Sequence, residues 1–177
     1  MKYSLFLFTP TNNRRLNELV GFCLLAIAAL ITLALISYSP SDPSWNTVAA
    51  SARPHNWIGI FGATFSDALF QLFGVGAFAL PALTCALAVR WFRSRWNDAA
   101  LPKIIGGLVL LLFLPALFGI LPWHMMWHSA MPMEGMEGRI VADFLLHYLN
   151  WAGAWIVVLT VMAVAVFLTT TFTFTAA

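Results

Sequence analysis

The sequence predicts an all-α integral membrane protein, a bundle of four transmembrane helices with both termini in the cytoplasm. Two observations support this prediction. The 177 residues are 61% hydrophobic and only 9% charged, whereas soluble globular domains carry about 25% charged residues. The charged residues also fall into short clusters, and four long uncharged stretches lie between them. The composition therefore excludes a soluble globular domain.

The uncharged stretches have the length of membrane spans, because each holds the roughly 20 residues that a helix needs to cross the hydrocarbon layer. The first stretch is longer than the apolar core of a cleaved signal peptide, which is about 7 to 15 residues. We therefore expect residues 1–18 to form a cytoplasmic arm, and residues 171–177 to begin a cytoplasmic continuation of a longer protein. The four spans of the membrane domain, residues 19–170, are predicted at 19–38, 68–89, 104–123 and 149–170.

The orientation follows from the basic residues, because lysine and arginine near span ends stay on the cytoplasmic side. The arm and the loop between the second and third spans hold most of them, whereas each of the other two loops has a single arginine. Both termini are therefore expected in the cytoplasm. The cytoplasmic set is Lys2, Arg14, Arg15, Arg90, Arg93, Arg95 and Lys103, and the outer loops contain Arg53 and Arg139.

The region before the second span must bend, since residues 57–89 would form a helix much longer than the membrane is thick. Ser66 and Asp67 are good helix N-cap residues, so the span is predicted to begin at Ala68, with residues 57–65 in the outer interface. Pro81 is predicted to kink the span at its middle. An acidic residue beside a span is also a candidate for proton transfer, which leaves a proton-coupled carrier using Asp67 as a weaker alternative.

The last outer loop contains an amphipathic pattern over residues 139–150, with polar residues at helical spacing. We expect this helix to lie along the outer membrane surface before it turns into the fourth span. The predicted fold thus has interfacial helices in both outer loops.

The loop after the third span concentrates histidine, methionine and tryptophan. Thioether and imidazole groups suit copper, and His124 and His128 would share a face if the segment were helical. The alternative is that Trp123 and Trp127 belong to the interfacial aromatic belt and that the methionines fill space. A small copper-binding membrane protein is therefore the alternative function. The methionines concerned are Met125, Met126, Met131, Met133 and Met136.

Catalytic motifs are not found in this sequence. It has no G-x-x-x-x-G-K-[ST] loop to hold nucleotide phosphates, and no Ser-His-Asp or Cys-His arrangement that the spans would bring together. We assign no catalytic, cofactor-binding or metal-binding residue and expect no cofactor, so the chain is predicted not to be an enzyme.

Two segments resemble the N-terminal four-helix membrane domain of the FtsK/SpoIIIE family of bacterial DNA translocases. The first is the loop directly after span one, S-P-S-D-P-S-W, and the second is the start of span two, G-A-T-F-S-D-A-L-F-Q-L-F-G with a later proline. The resemblance covers about residues 12–170. The motif residues are Ser39, Pro40, Asp42, Pro43, Ser44, Trp45, Gly62, Asp67, Phe73, Gly74 and Pro81.

The resemblance implies a non-catalytic membrane anchor and septum-targeting domain that couples chromosome segregation to cell division. It implies a multi-pass location in the bacterial inner membrane, at the division septum. The implied partners are the lipid bilayer, membrane proteins of the division machinery and further copies of the chain, which form a hexamer in the parent proteins. DNA and ATP are implied only through a C-terminal motor that lies outside this sequence.

Overall fold

A computed structural model describes residues 10–45, 53–94, 100–123, 125–127 and 131–170. These residues form five α-helices, one 3₁₀ helix and a pair of two-residue antiparallel strands. The elements in order are α1 Arg14–Ile36, α2 Gly59–Phe73, the 3₁₀ helix Gly74–Phe78, α3 Ala79–Phe92, α4 Ala100–Gly119, β1 Met126–Trp127, β2 Met131–Pro132 and α5 Gly135–Thr169.

Helix α1 begins five residues before the first uncharged stretch because Asn13 caps it. The Asn13 side-chain oxygen accepts hydrogen bonds from the backbone N–H groups of Arg15, at 3.1 Å, and Leu16, at 3.3 Å. An N-cap asparagine satisfies backbone donors that the helix itself leaves unpaired. Part of the predicted arm is therefore the first turn of α1.

Asn17 connects the beginning of α1 to the end of α3. Its fully buried side-chain amide donates to the Thr11 carbonyl oxygen at 2.7 Å and to Ser94 Oγ at 3.2 Å. A buried polar side chain needs such partners, because leaving it unpaired costs free energy. We call this the basic end of the bundle, since Arg14, Arg90 and Arg93 lie beside it, and we call the opposite end the loop end.

The prediction that Ser66 and Asp67 cap the second span is wrong. Both residues lie inside α2, which begins at Gly59, and the chain bends instead at the 3₁₀ helix that starts with Gly74. Gly74 has a φ of +52°, which glycine adopts readily because it has no Cβ. The bend therefore lies about two turns after the predicted position.

The predicted kink at Pro81 is also wrong. Pro81 is the third residue of α3, and in the first turn of a helix its missing N–H removes no intrahelical hydrogen bond. The proline inside a helix is instead Pro115, in α4.

Three segments come into backbone contact at what we call the glycine junction, formed by Gly74, Gly76, Pro115, Gly135 and Gly138. A Cβ on Gly76 would lie 2.5 Å from the Pro115 Cγ, and a Cβ on Gly138 would lie 2.6 Å from the Pro115 Cβ. Such distances leave no room for any side chain. The junction thus joins the 3₁₀ helix, α4 and the start of α5 at the loop end.

Helix α5 has two halves that meet at Asn150, where φ is 59° and ψ is 175°. Ala142 in the first half and Val158 in the second belong to one buried cluster with Ile120, so the first half folds back across the end of α4. The turn between the predicted amphipathic helix and the fourth span is therefore confirmed at Asn150. Its placement along the outer membrane surface stays a prediction.

Among the described residues, four helical stretches are long and apolar enough to cross a membrane, which confirms the predicted four-span bundle. The all-α prediction also holds, apart from the short strand pair. The positive-inside rule places the basic end in the cytoplasm and the loop end outside. The stretches that meet this criterion are Arg14–Ile36, Gly59–Phe92, Leu101–Gly119 and Gly135–Thr169.

An arginine at Leu30 is expected to impair membrane insertion. Leu30 lies on the exposed side of α1, near the middle of the span, where a charged residue costs about 2.5 to 3.5 kcal/mol on insertion scales. The fraction of inserted chain can be measured with a topology reporter fused after α1. Leu16→Arg is the matched control, because an arginine near the cytoplasmic helix end reaches the interface at little cost. Equal insertion of both variants would contradict the assigned span.

Candidate functional site

The loop motif after α1 forms a turn that Asp42 fixes to the other end of the same loop. The Asp42 backbone N–H donates to the Ser39 carbonyl oxygen at 3.2 Å, and Pro40 and Pro43 restrict the backbone on either side. The Asp42 carboxylate accepts hydrogen bonds from the backbone N–H groups of His55 and Asn56, both at 2.8 Å. Asp42 is 3% exposed, so this motif residue is a structural anchor of the outer loop.

The sequence analysis did not single out Asn56, yet this residue carries the contact from the loop to the helices. Its side-chain amide donates to the Ala34 carbonyl oxygen at 2.8 Å, and its side-chain oxygen accepts from the Ile58 N–H at 3.0 Å. A Cβ on Gly62 would collide with the Asn56 side-chain oxygen. The motif glycine therefore allows Asn56 to lie directly against α2.

Asp67 forms a buried polar contact between α2 and the end of α1. The Tyr38 hydroxyl donates to Asp67 Oδ1 at 3.2 Å, and the Gln71 amide donates to Asp67 Oδ2 at 2.8 Å. Burial raises the pKa of the Tyr38 phenol well above its usual value, and the nearby Asp67 charge raises it further. Tyr38 therefore remains protonated and continues to donate to the carboxylate.

The geometry around Asp67 does not support the alternative function of a proton-coupled carrier. Asp67 lies at the loop end of the bundle, and its described hydrogen bonds come from the Tyr38 hydroxyl and the Gln71 amide, neither of which is a carboxylate, histidine or lysine that would pass a proton on.

Replacing Tyr38 with phenylalanine should lower stability by about 1 to 2 kcal/mol, because a hydrogen bond to a buried carboxylate is lost. Thermal unfolding of the purified protein in detergent measures this change. Tyr148→Phe is the matched control, since Tyr148 is exposed and its hydroxyl has no described hydrogen bond. If both variants unfolded at the same temperature as the wild type, the hydrogen bond from Tyr38 to Asp67 would contribute nothing to the stability of the fold.

The raised pKa of Tyr38 also predicts a loss of stability in alkali. In the unfolded chain the phenol ionises near pH 10, whereas in the folded protein it remains protonated to higher pH. The unfolded state therefore loses the proton first, and stability falls as the pH rises above about 10. Unfolding curves from pH 8 to about 11 should show this fall in the wild type and a smaller fall in Tyr38→Phe.

An aromatic cluster packs at the loop end of the bundle, next to the end of α1. The Tyr38 ring lies 4.9 Å from the Phe70 ring, and the Trp127 ring stacks on Phe70 at 6.3 Å and meets the edge of Phe78 at 6.1 Å. Met131 also packs against this cluster. Trp127 thus packs the strand pair against α2. The sequence had suggested only a place in the interfacial aromatic belt.

The remaining motif residues divide into packed and exposed groups. Phe73 packs against the aromatic cluster, Gly74 forms part of the glycine junction, and Pro81 is buried. Pro40 is exposed, and Trp45, at 85% exposure, projects from the loop. Ser39 bonds to the neighbouring Ser41 at 2.9 Å. Ser44, half-buried, follows Pro43 in the same loop.

The copper hypothesis depended on a helical segment around His124 and His128, and both residues lie outside the described part of the chain. Met126 and Trp127 between them form an extended strand, so the argument from a shared helix face has no support. Within the described ranges, no group of three or more His, Cys, Asp or Glu side chains is arranged to hold a metal.

These features define a class: a multi-pass membrane domain with four crossing helices and a packed outer loop layer. A family model described as the 4TM region of DNA translocase FtsK/SpoIIIE matches residues 13–177. The chain therefore belongs to the FtsK/SpoIIIE family and corresponds to the four-transmembrane region of its members. This match confirms the resemblance found in the sequence. It is a multi-pass inner-membrane protein.

Curated relatives named DNA translocase FtsK share this region. The protein from Rickettsia typhi is 35% identical over 76% of the chain, and the protein from Shewanella oneidensis is 32% identical over 75%. The protein from Vibrio vulnificus is 28% identical over 82% of the chain. The matched region spans only 17%, 15% and 15% of these relatives, respectively. No solved structure matches the chain.

Proposed function

We propose that this region is the membrane anchor and septum-targeting domain of a DNA translocase, and that it couples chromosome segregation to cell division. The observation that carries the proposal is the family match over residues 13–177, together with relatives that are named DNA translocases. The region spans a small part of those relatives. We therefore assign DNA translocation and ATP use to a motor outside it.

The packed loop end supports the targeting role. Asp42 and Asp67, both in the family motif, accept hydrogen bonds that hold the outer loop against the helices. The described parts of the loop, held in this way, present a fixed surface, and preorganisation lowers the entropic cost of binding a partner. We propose that membrane proteins of the division machinery bind this surface, and that several copies, a hexamer in the parent protein, gather at the septum.

A fluorescent fusion of residues 1–177 tests the targeting role. In dividing bacteria that keep their own translocase, the fusion is expected to concentrate at division sites. Uniform labelling of the envelope would contradict septum targeting and leave only the anchor.

Two loop variants sharpen this experiment. Asp42→Ala releases the loop, so septal enrichment should fall even where the protein still inserts, whereas Ser41→Ala at an exposed neighbouring position should keep it. Membrane fractionation and in-gel fluorescence establish that each variant is present and inserted. Full septal enrichment of an inserted Asp42→Ala protein would show that the fixed loop is not the targeting surface.

A further inference from the structure

An open cleft of about 760 Å³ lies at the loop end, between the second half of α2 and the first turns of α5. Trp45 and strand β2 form its sides. The walls are mostly apolar, with Leu72 and Met136 exposed at the rim. Four polar side chains also line the cleft, namely Asp67, Gln71, Glu134 and Arg139.

The cleft contains more buried negative charge than positive charge. Asp67, at 7% exposure, accepts hydrogen bonds from two neutral donors and forms no ion pair with any cationic side chain that the structure describes. Glu134, at 1% exposure, lies 3.5 Å from the Arg139 guanidinium. A buried carboxylate without a cation is costly. The cleft therefore favours a ligand that brings a positive group to Asp67.

Arg139 contributes a positive charge at the rim of the cleft. Its side chain is half-exposed, and its two ion pairs, with Glu134 at 3.5 Å and Asp143 at 3.6 Å, are both long. A guanidinium offers five donors in a planar fork that matches phosphate oxygens. The same cleft is thus lined by the Asp67 carboxylate and the Arg139 guanidinium.

The cleft lies just before the bend that leads into α3. Its α2 residues directly precede the 3₁₀ helix Gly74–Phe78, which leads into the crossing helix α3. At the beginning of α2, Ile60 and Phe61 are exposed apolar side chains, as expected for a helix that contacts lipid. The positive-inside rule assigns this end of the bundle to the outer side, which is the side of the outer leaflet.

We propose that this cleft binds the headgroup of an aminophospholipid. The ammonium group lies at Asp67, the phosphate lies near Arg139, and the glycerol and upper acyl chain follow Leu72 and Met136. A lipid fits better than a basic protein segment for two reasons. The cleft is lined by side chains of both charge signs, which a zwitterionic headgroup also carries, and it lies on the outer side of a membrane domain, where lipid is present.

Native mass spectrometry of the purified protein in detergent tests the proposal, with phosphatidylethanolamine and phosphatidylglycerol as probes. The two lipids share the phosphate and the acyl chains, but only the first has an ammonium group. The wild type should retain phosphatidylethanolamine about tenfold better, since one hydrogen bond to a charged group has roughly that value. Equal retention of the two lipids would overturn the proposal.

Three variants separate the cleft from general lipid contact. Asp67→Asn should lower phosphatidylethanolamine retention by about tenfold and bring it to the level of phosphatidylglycerol. Met136→Trp fills the rim without touching the polar network, so it should lower retention even if Asp67→Asn unfolds part of the loop end. Glu18→Gln removes a carboxylate at the basic end and should leave retention unchanged.

Further outcomes would overturn the proposal. Retention of phosphatidylethanolamine that is unaffected by both Asp67→Asn and Met136→Trp would show that the lipid binds elsewhere on the bundle. If a short lysine-containing apolar peptide bound through Asp67 while phosphatidylethanolamine did not, the cleft would be a protein-docking site. The measurement uses purified protein and does not depend on septum targeting, so either proposal can fail without the other.

Discussion

Replacing Gly74 with alanine should destabilise the protein by about 3 kcal/mol or more, because the change combines a steric clash with backbone strain. A Cβ at this position would collide with the Met133 carbonyl oxygen and would lie 2.6 Å from the Gly135 backbone nitrogen. Those atoms belong to backbone, so they cannot move aside as a flexible side chain would. The φ of +52° is also unfavourable for alanine. Thermal unfolding in detergent measures the loss.

Two glycine controls separate the clash from the strain. Gly59 also has a positive φ, +73°, but a Cβ there meets nothing within 4 Å, so Gly59→Ala tests strain alone, with an expected cost of about 1 kcal/mol. Gly107 lies in α4, where a Cβ would reach Leu83 at an ordinary 3.4 Å, so Gly107→Ala should be neutral or slightly stabilising. If Gly74→Ala were no worse than Gly59→Ala, the glycine junction would not be closely packed.

Replacing Asp42 with alanine should cost about 3 kcal/mol or more, because it leaves two backbone N–H donors without their charged acceptor. These donors, on His55 and Asn56, are each 2.8 Å from the carboxylate. The His55 ring, 2.9 Å from the same carboxylate, is mostly exposed and adds little. Thermal unfolding in detergent, with proteolysis of the outer loop as a second measurement, should show early loss of the loop.

The conservative variant and an exposed neighbour make this prediction specific. Asp42→Asn keeps a side-chain oxygen that can accept one of the two hydrogen bonds, so its cost should lie between those of the wild type and Asp42→Ala. Ser41→Ala removes an exposed hydroxyl whose described hydrogen bond is to Ser39, and it should change stability by less than about 0.5 kcal/mol. Asp42→Ala as stable as Ser41→Ala would show that the carboxylate does not hold the loop.

Much of the candidate site was visible in the sequence, but the roles of its residues were not. The motif residues Asp42, Asp67 and Gly74 were all identified from the loop and the second span. Asp67 was assigned to a helix cap, because Ser-Asp before an apolar run is an ordinary start signal. The structure shows that its partners are Tyr38 and Gln71. Tyr38 is 29 residues away in the chain, and no local pattern indicates such a pair.

The local sequence pattern also predicted the bend before α3 at the wrong position. Both glycine and proline can interrupt a helix. Which of them does so in a given protein depends on the segments packed around it. Gly74 bends the chain because the Met133 carbonyl oxygen accepts from the Val75 N–H at 2.8 Å and leaves no space for a side chain. Pro81 falls in a first turn, where it causes no break.

The sequence by itself determined the membrane class, the four spans, the expected cytoplasmic side and the family. These properties depend on how many apolar residues follow one another and where charges interrupt them, since the bilayer acts on each segment separately. Only the tertiary structure decided how the loop end is built: the Asp42 anchor, the Asp67 contact, the glycine junction and the cleft between α2 and α5. Each requires atoms from segments far apart in the chain to meet within a few ångströms, and such contacts depend on how the helices pack together.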